Sequence, residues 1–495
     1  MADGTQLNTI DARHLLRRTG FGAPPDDVAD FATMTRGEAV ARLLDFEPSR
    51  FRPGGKYIND AHNKWIKYMV KTRAPLQEKL VLFWHDHFAT GFAKVQDVKH
   101  MALQNQTLRL NCKGNFAALV KTINKDPAMM EYLDTVRNGK YVPNENYARE
   151  LQELFTLGAK DPNGNDNYTQ EDIVQIARAF TGWRYDNNAG PYLDTDDHDF
   201  LDEFGDPPPD GRGPKVIYTS TGGFGGAGVE YAGGGSGYSE GETEIDTVVD
   251  IILTHTHVDP DLSVHNTVAR RTARRLIEYF AHPDPDQTFV DDVIVSSGFD
   301  STWDISALLH QIFVHDWFYE SGIPGSSKQS VKWPVDYVVS SLRLLRMKLK
   351  GRYQYVNGGS YNSIYDQLTN MGQIALDPPS VFGWDWEQSW VSSATLLARY
   401  GFARDLGAAS GVGGTALRSE LLFDLSMTAP GDIVDAVTDL LGVKDYLSTA
   451  ERTILMDYLT NNGALTPDLN DYDYRVAKLH GLIALVMQSP AYQLH

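Results

Sequence analysis

The stretch PNENYARELQELFTLG, residues 143–158, carries the strongest helix signals in the chain. Pro143 and Asn144 mark a helix entry, because an asparagine side chain can cap free backbone N–H groups. Gly158 can adopt the left-handed conformation that ends a helix. At about 100° per residue, three polar residues fall along the edge of the apolar face: Asn146, Glu150 and Glu153. A half-buried carboxylate is therefore expected at this edge.

Helical periodicity continues on both sides of this stretch, with an interruption in the middle of the chain. Between residues 185 and 244 the composition changes to Gly, Asp, Pro and Ser, which favours a long loop with room for a short β-hairpin. We therefore predict an all-α protein. Its parts are an N-terminal helical region (1–184), a loop insertion (185–244) and a C-terminal helical region (245–495) that completes the same core and ends in a helical subdomain.

Composition and charge exclude several classes of protein. The 495 residues carry a formal net charge of −20, which argues against a nucleic-acid partner, since phosphate binding depends on lysine and arginine. No apolar run reaches the roughly 20 residues of a membrane span. The single cysteine, Cys112, excludes an intrachain disulfide. The N-terminus has no signal-peptide core, so we expect a cytoplasmic protein; the alternative is an exported protein whose signal is absent from this sequence.

Seven further segments accompany residues 143–158 along the chain. They are HLLRRTGFG (14–22), FWHDHFA (83–89), DPAMMEYLD (126–134), YTQEDIVQIARAFTGW (168–183), VKWPVDYVV (331–339), GQIALDPPSVFGWDWEQSW (372–390) and SPAYQ (489–493). Together the eight segments resemble the bacterial "domain of unknown function" family numbered eighteen hundred. The resemblance implies an all-helical fold, no characterised activity, and a sulfatase-like protein encoded nearby as a partner. Residues 256–259 depart from the family pattern and are expected to end a helix.

Glu150 and Glu153 are the candidate catalytic residues. They lie one helical turn apart, the spacing at which two carboxylates interact and one of them can hold a proton. The alternative is a structural role in which the two acids bond helix termini or buried arginines. The candidate arginines are Arg109, Arg178 and Arg184.

Four residues are candidate substrate contacts. Asn146 and Arg149 flank the carboxylate pair, although Arg149 is also spaced to form a solvent-facing ion pair with Glu145. Trp384 and Trp390 belong to an aromatic cluster that could stack against a sugar, and packing in the core is the alternative.

FWHDHFA supplies a candidate metal ligand or proton-transfer group in His87. In a continuous helix His85 and His87 point about 200° apart, so only one of them is expected to face the interior. A neutral imidazole there would suit a metal or a carboxylate such as Glu150. The alternative is a core histidine that is hydrogen-bonded to backbone.

The acidic segment DTDDHDFLDEFGD supplies two further candidate metal ligands, His198 and Asp199. With His87 and Glu150 they form the predicted set for one divalent metal, Zn²⁺ or Ca²⁺. A solvated acidic loop is the alternative. IILTHTHVDP (251–260) resembles a metallo-β-lactamase signature, but Pro260 stands at the position of the last histidine. Phosphate-binding loops and nucleophile elbows are absent from the sequence.

Two functional hypotheses follow. The first is a hydrolase that acts on a glycan, or on a sulfated or phosphorylated glycan, with Glu150 as general acid or base and His87 orienting it or binding the metal. This hypothesis requires Glu150 and His87 to approach within hydrogen-bond reach, directly or through a water or ion, beside an open pocket. The second is a non-catalytic scaffold or binding protein in which the polar helix is a structural network.

Overall fold

The structure is a computed structural model that describes residues 2–187, 189–200, 215–218, 229–231, 238–347, 349, 354–357, 360–408 and 417–495. The described chain is mostly helical and contains four pairs of short antiparallel strands. The predicted all-α class is confirmed. None of the helices in these ranges combines the length and the apolar character needed to cross a membrane.

The N-terminal region is built from helices, and capping side chains fix the starts of several of them. The helices are α1 (Thr9–Thr19), α2 (Pro25–Phe31), α3 (Arg36–Leu44), α4 (Ile58–Lys71), α5 (Pro75–His87), α6 (Phe92–Val95), α7 (Val98–Asn111), α8 (Phe116–Asn124), α9 (Pro127–Tyr132), α10 (Asn146–Glu150) and α11 (Gln170–Ala179). Asn8, Asp97 and Asp126 each accept backbone N–H groups of the helix that follows them. Such caps replace the hydrogen bonds that the first turn lacks.

The strands lie in and after the predicted insertion. The pairs are β1 (Trp183–Asp186) with β2 (Gly190–Leu193), β3 (Lys215–Ile217) with β4 (Val229–Tyr231), β5 (Thr256–Val258) with β6 (Val264–Asn266), and β7 (Gln354–Asn357) with β8 (Ser360–Ser363). A hairpin within residues 185–244 was expected and is present. Residues 256–259 do not end a helix, as the sequence suggested; they begin the β5–β6 hairpin, and the preceding helix ends at Leu253.

Helices resume inside the predicted loop. They are α12 (Tyr238–Leu253), α13 (Thr267–Phe280), α14 (Gln287–Ser297), α15 (Phe299–Thr302), α16 (Ile305–Val314), α17 (Asp316–Glu320), α18 (Pro334–Leu344), α19 (Ile364–Asn370), α20 (Ser393–Gly407), α21 (Pro430–Leu440), α22 (Thr449–Thr460), α23 (Tyr472–Tyr474), α24 (His480–Gln488) and α25 (Pro490–Gln493). In the C-terminal part, α24 packs against α20, α21 and α22. Arg13 of α1 pairs with Asp439 at 2.7 Å, which ties this part to the N-terminus.

Helix α5 lies at the centre of the fold and is buried on every side from Leu76 to His87. A helix that is buried all round must also place its polar residues inside, where charges require partners. Lys79 binds both oxygens of Asp336 at 2.8 Å. Glu78 binds Arg109 at 2.5 Å. These pairs fix the position of α5 and therefore of the FWHDHFA segment at its end.

Candidate functional site

The helix after Asn144 changes its geometry at Leu151. Helix α10 passes into a π-helix, Leu151–Thr156, which widens the turn by about one residue. The Asn144 side chain accepts the N–H of Asn146 at 3.0 Å, and Gly158 has φ +81°. The entry and exit signals are thus confirmed, whereas the regular helix predicted between them is not. π-Helical turns occur frequently at functional sites, and a second one lies at Arg475–Leu479.

Two side chains from other helices hold the last carbonyls of the π-helix. His87 Nε2 lies 3.1 Å from the carbonyl oxygen of Phe155. An Arg271 N–H donates to the carbonyl of Leu154 at 3.3 Å. Carbonyls at a helix end lack partners within the helix, so these contacts satisfy groups that would otherwise be buried unpaired. The two contacts join α5 and α13 to the segment that follows Glu150.

His87 is a neutral donor in this arrangement. Because a carbonyl only accepts, Nε2 carries the proton. Burial, together with the charges of Arg275 and Arg271, lowers the pKa of His87 to about 3, so the ring stays neutral at physiological pH. Among the described residues no direct hydrogen bond joins His87 to Glu150. The observed contact matches the alternative prediction for His87, a core histidine that is hydrogen-bonded to backbone.

Glu150 and Glu153 are half-buried and lie in unlike environments. Glu153 accepts a hydrogen bond from the Tyr168 hydroxyl at 3.1 Å. Glu150 makes no hydrogen bond to the part of the chain that the structure describes. Its pKa is raised by burial and by the charge of Glu153, against the opposing charge of Arg149. The pKa of the Tyr132 phenol is raised by burial first, then by the charge of Asp377 and then by that of Glu150. Tyr132 therefore lies near Glu150.

The arginines that could have neutralised this pair are engaged elsewhere. Arg109 binds Glu78, Arg178 binds Asp199, and Arg184 binds Asp197. The arginine form of the structural alternative for Glu150 and Glu153 therefore lacks the three partners named for it; the form in which they bond helix termini stays a prediction.

Arg149 and Asn146 lie at the surface beside the carboxylate pair. Arg149 donates to Glu145 at 3.1 Å and to Gln170 at 3.0 Å. The predicted i, i+4 ion pair with Glu145 is confirmed. Asn146 is partly exposed and contributes its backbone N–H to the Asn144 cap. Both side chains remain open to a ligand that approaches Glu150 from solvent.

Asp86 lies between the two histidines of the FWHDHFA segment and is a site residue that the sequence reasoning missed. It accepts the Trp384 N–H at 2.7 Å and the Trp386 indole N–H at 3.1 Å. Arg275 lies 3.5 Å from the same carboxylate and 4.3 Å from the centre of the Trp386 ring. Burial raises the pKa of Asp86 to about 6 despite Arg275 and these hydrogen bonds. The available signal was the apolar run that precedes Asp86 in α5. His85 and His87 are both buried, so the expectation that only one of them faces the interior is wrong.

Trp384 and Trp390 belong to the core. Their exposed fractions are 3% and 4%, and both rings pack against Trp333. A buried ring has no face open to a sugar, so the structure corrects their assignment as substrate contacts. Trp386, the third ring of the cluster, is partly exposed and carries Arg275 on its face.

His198 and Asp199 are buried, whereas residues 201–206 of the same acidic segment lie outside the described residues. His198 is fully buried, with Nδ1 2.7 Å from the carbonyl of Thr181 and Nε2 2.9 Å from Glu244. Lys215 binds the other oxygen of Glu244 at 2.6 Å. Asp199 is 4% exposed and accepts from Arg178 at 2.8 Å. These contacts describe a buried polar network, which corrects the solvated-loop alternative.

The predicted metal ligands are not assembled around a common point. Within the described ranges, no group of three or more His, Cys, Asp and Glu side chains is placed to hold a metal ion. The ring nitrogens of His87 and His198 already contact other groups: the Phe155 carbonyl for His87, and the Thr181 carbonyl and Glu244 for His198. The assignment of His87, Glu150, His198 and Asp199 to one divalent metal therefore stays a prediction without a matching cluster.

The histidines of the β5–β6 hairpin form a directed chain of hydrogen bonds. Arg270 donates to His257 Nε2 at 2.8 Å, so His257 Nδ1 carries the proton and donates to Thr267 at 3.1 Å. The Thr267 hydroxyl in turn lies 3.0 Å from His255 Nδ1. Burial lowers the pKa of both rings, and that of His255 falls to about 4. The hairpin presents neutral, oriented imidazoles next to Arg270.

A family model described as "Protein of unknown function (DUF1800)" matches residues 14–494, nearly the whole chain. The chain belongs to this family. No curated protein and no solved structure matches the DUF1800 chain. Its function must therefore be inferred from its own residues. The clearest chemistry lies where α10 passes into the π-helix, at Glu150 and Glu153.

Proposed function

We propose that this DUF1800 protein is a hydrolase that acts on a sulfated or phosphorylated glycan, with Glu150 as the general acid. The observation that carries the proposal is the pair of neighbouring carboxylates in unlike environments. Glu150 has no hydrogen-bond partner among the described residues and a raised pKa, whereas Glu153 is held by Tyr168. Acid and base roles in hydrolases are assigned by such differences between two carboxylates.

In this reaction the proton of Glu150 moves to the leaving oxygen of a glycosidic bond as that bond breaks. Glu153 stays ionised and stabilises the positive charge that develops on the sugar. Water supplies the hydroxyl group of the product and returns a proton to Glu150. His87 is a positioning residue, because it binds the Phe155 carbonyl rather than the reacting groups.

Acid–base chemistry is favoured over the single-metal alternative because His87 and His198 already bond other groups. The glycan class rests on the family's implied neighbour, a sulfatase-like protein, which would remove ester groups from the same polymer. Arg149 and Asn146 are the proposed sugar contacts, since both are partly exposed beside Glu150.

The proposal is tested by screening glycan fragments and chromogenic glycosides, with and without sulfate or phosphate esters, and then assaying variants on any substrate found. Glu150→Gln should lower kcat by roughly 10²–10⁴-fold, the usual contribution of a general acid. Glu145→Gln is the matched control from the preceding turn and should stay within about twofold of wild type, since exposed ion pairs contribute little.

Two results would count against a catalytic role. One is an active protein in which Glu150→Gln and Glu145→Gln have the same kcat. The other is a folded protein that turns over none of these substrates while binding one of them, which would favour the scaffold or binding-protein alternative.

A further inference from the structure

A cavity of about 370 Å³ opens between the chain that follows the π-helix and the start of α13. Its basic lining consists of Lys160, Arg270, Arg271 and Arg274, and Thr267 and Gln287 add neutral polar groups. This volume falls within the range of small-molecule sites. Four cationic side chains around one cavity suit an anionic ligand, provided that some of their charge is not already neutralised by the protein.

Two of the four cations are already paired. Arg270 binds Asp259 at 2.7 Å and Asp291 at 2.6 Å. Lys160 binds Asp166 at 2.8 Å. These two side chains shape the cavity wall and contribute little uncompensated charge.

Arg271 and Arg274 differ from them because their observed partners are neutral. Arg271 donates only to the Leu154 carbonyl, and its buried Nε has no partner. Arg274 donates to the Pro285 carbonyl at 3.1 Å and to the Gln287 side chain at 2.9 Å. Within the described residues, neither guanidinium lies within 4 Å of a carboxylate.

Neither arginine thus has a direct ion pair in the described part of the chain, although Glu278 and Glu153 lie near enough to Arg271 for their charges to interact. Burial of Arg271 without a direct ion pair is costly, and a bound anion would offset part of that cost.

Asp161 is the acidic residue of the lining, and its charge is taken up locally. One of its oxygens accepts the N–H groups of Asn163 at 2.9 Å and Asn165 at 2.8 Å. The other accepts the Asn165 side-chain amide at 2.9 Å. The carboxylate is thereby directed into its own turn rather than towards the two arginines.

We infer that this cavity binds the tetrahedral oxyanion of a phosphate or sulfate ester, with Arg271 and Arg274 as its main ligands. Planar guanidinium groups bind such oxyanions through paired N–H donors. The cavity would bind the ester group of the glycan that we propose as the substrate, so this part of the inference rests on the proposed function. The link is Arg271, which lines the cavity and also lies near enough to Glu153 for the two charges to interact. A glycan whose ester group occupies the cavity would therefore place a neighbouring part of its chain on the side of Arg271 where Glu153 interacts with it.

The test is calorimetric titration of the full chain with sodium phosphate and with sodium sulfate at low ionic strength. Arg271→Gln and Arg274→Gln should each weaken binding at least about tenfold, the loss of one charged hydrogen-bonded contact. Arg418→Gln is the matched control, since Arg418 is exposed and pairs with Glu420 at 3.2 Å. It should bind as wild type does. Equal affinity of wild type and both cavity variants would overturn the inference, as would the absence of binding to wild type.

Hydrogen exchange of the wild-type protein tests the same cavity without any substitution, and therefore also applies if the arginine variants do not fold. Phosphate or sulfate should protect residues 157–162 and 267–274, and an absence of protection there would overturn it. Glucose 6-phosphate and glucose 6-sulfate then distinguish the two esters, because the tighter ligand identifies the group that the cavity accepts. Equal lack of binding by both sugars would overturn the assignment to a sugar ester.

These measurements separate the cavity from the catalytic proposal. Glu150→Gln should bind phosphate or sulfate as wild type does, because Glu150 is not part of the cavity lining. Anion binding without any hydrolase activity would support the cavity and contradict the proposed function. Hydrolysis that depends on Glu150 in a protein without anion binding would do the reverse.

Discussion

At the scale of single residues, the decisive feature is the difference between two neighbouring carboxylates. Both belong to one helix and have the same side chain, yet Glu153 has a phenol donor and Glu150 has none among the described residues. The sequence identified the pair from its spacing. It could not assign their environments, because Tyr168 and Arg271 reach the pair from other elements. The sequence also could not show that Arg109, Arg178 and Arg184 pair with other carboxylates, because those partners lie on other elements.

Glu150→Gln should stabilise the folded protein at pH 7.5. The pKa of Glu150 is raised on folding by burial and Glu153. Its ionised form therefore lowers the free energy of unfolding at neutral pH. As pH falls through the window between the folded and unfolded pKa values, the native carboxyl takes up its proton first, so the advantage of the variant shrinks. Urea unfolding at pH 7.5 and pH 5.5 measures this, with Glu145→Gln as control. A variant less stable than wild type at pH 7.5 would contradict the assignment.

Asp86→Asn should destabilise the protein. The carboxylate accepts from two N–H groups, whereas an amide presents one acceptor and would turn its own N–H₂ towards a donor. The expected loss is about 1–3 kcal/mol for one unsatisfied buried donor. Thermal unfolding measures the loss, and Asp385→Asn, at an exposed neighbouring position, is the control. Equal melting temperatures for the two variants would show that the Asp86 contacts contribute nothing.

At the scale of elements, the π-helix is the feature that positions the site. The helical stretch that contains it starts after Asn144 and ends before Gly158, and the sequence predicts both boundaries. The π-helix itself could not be predicted, because six residues are too few to distinguish its wider turn from an α-helical repeat. The β5–β6 hairpin was missed because each of its strands has only three residues, too few to show a period-two alternation, and the first follows closely on a helix. Where an element is long and periodic, as in α4 or α13, the sequence predicts it well.

His87→Leu tests the anchor of the π-helix. The substitution removes the N–H that binds the Phe155 carbonyl and leaves a buried acceptor without a partner. We expect a loss of about 1–3 kcal/mol and faster hydrogen exchange over residues 151–158. His310→Asn, at a partly exposed histidine, is the comparison. Unchanged exchange over this segment would show that His87 does not hold the π-helix in place.

At the scale of the whole molecule, buried ionisable groups make stability depend on pH. Burial lowers the pKa values of His62, His85 and His87 to about 3 and those of His255 and His282 to about 4. The unfolded chain binds protons at these positions near pH 6.5, so each costs roughly 1.4 kcal/mol per pH unit below that value. Asp86 and Asp126, raised to about 6 and 7, act in the opposite direction.

The protein should therefore unfold cooperatively as pH falls from 7 towards 4.5. Five histidines less two aspartates leave an uptake of about three protons on unfolding near pH 5 from these groups. The slope of the urea-unfolding free energy against pH gives the total proton uptake, to which other buried groups such as His14 and His495, whose pKa values are also lowered by burial, contribute. His62→Leu should reduce the slope by about one proton. A flat dependence over this range would contradict neutral burial of the histidines.

In the proposed reaction Glu150 delivers a proton to the glycan under the influence of Glu153. This role is tested by the pH dependence of kcat/KM, measured for wild type and Glu153→Gln on a substrate from the screen. The alkaline limb of the wild-type profile should report the raised pKa of Glu150. Because the charge of Glu153 contributes to that rise, the limb should move to lower pH in Glu153→Gln. An alkaline limb at the same pH in both proteins would contradict the account.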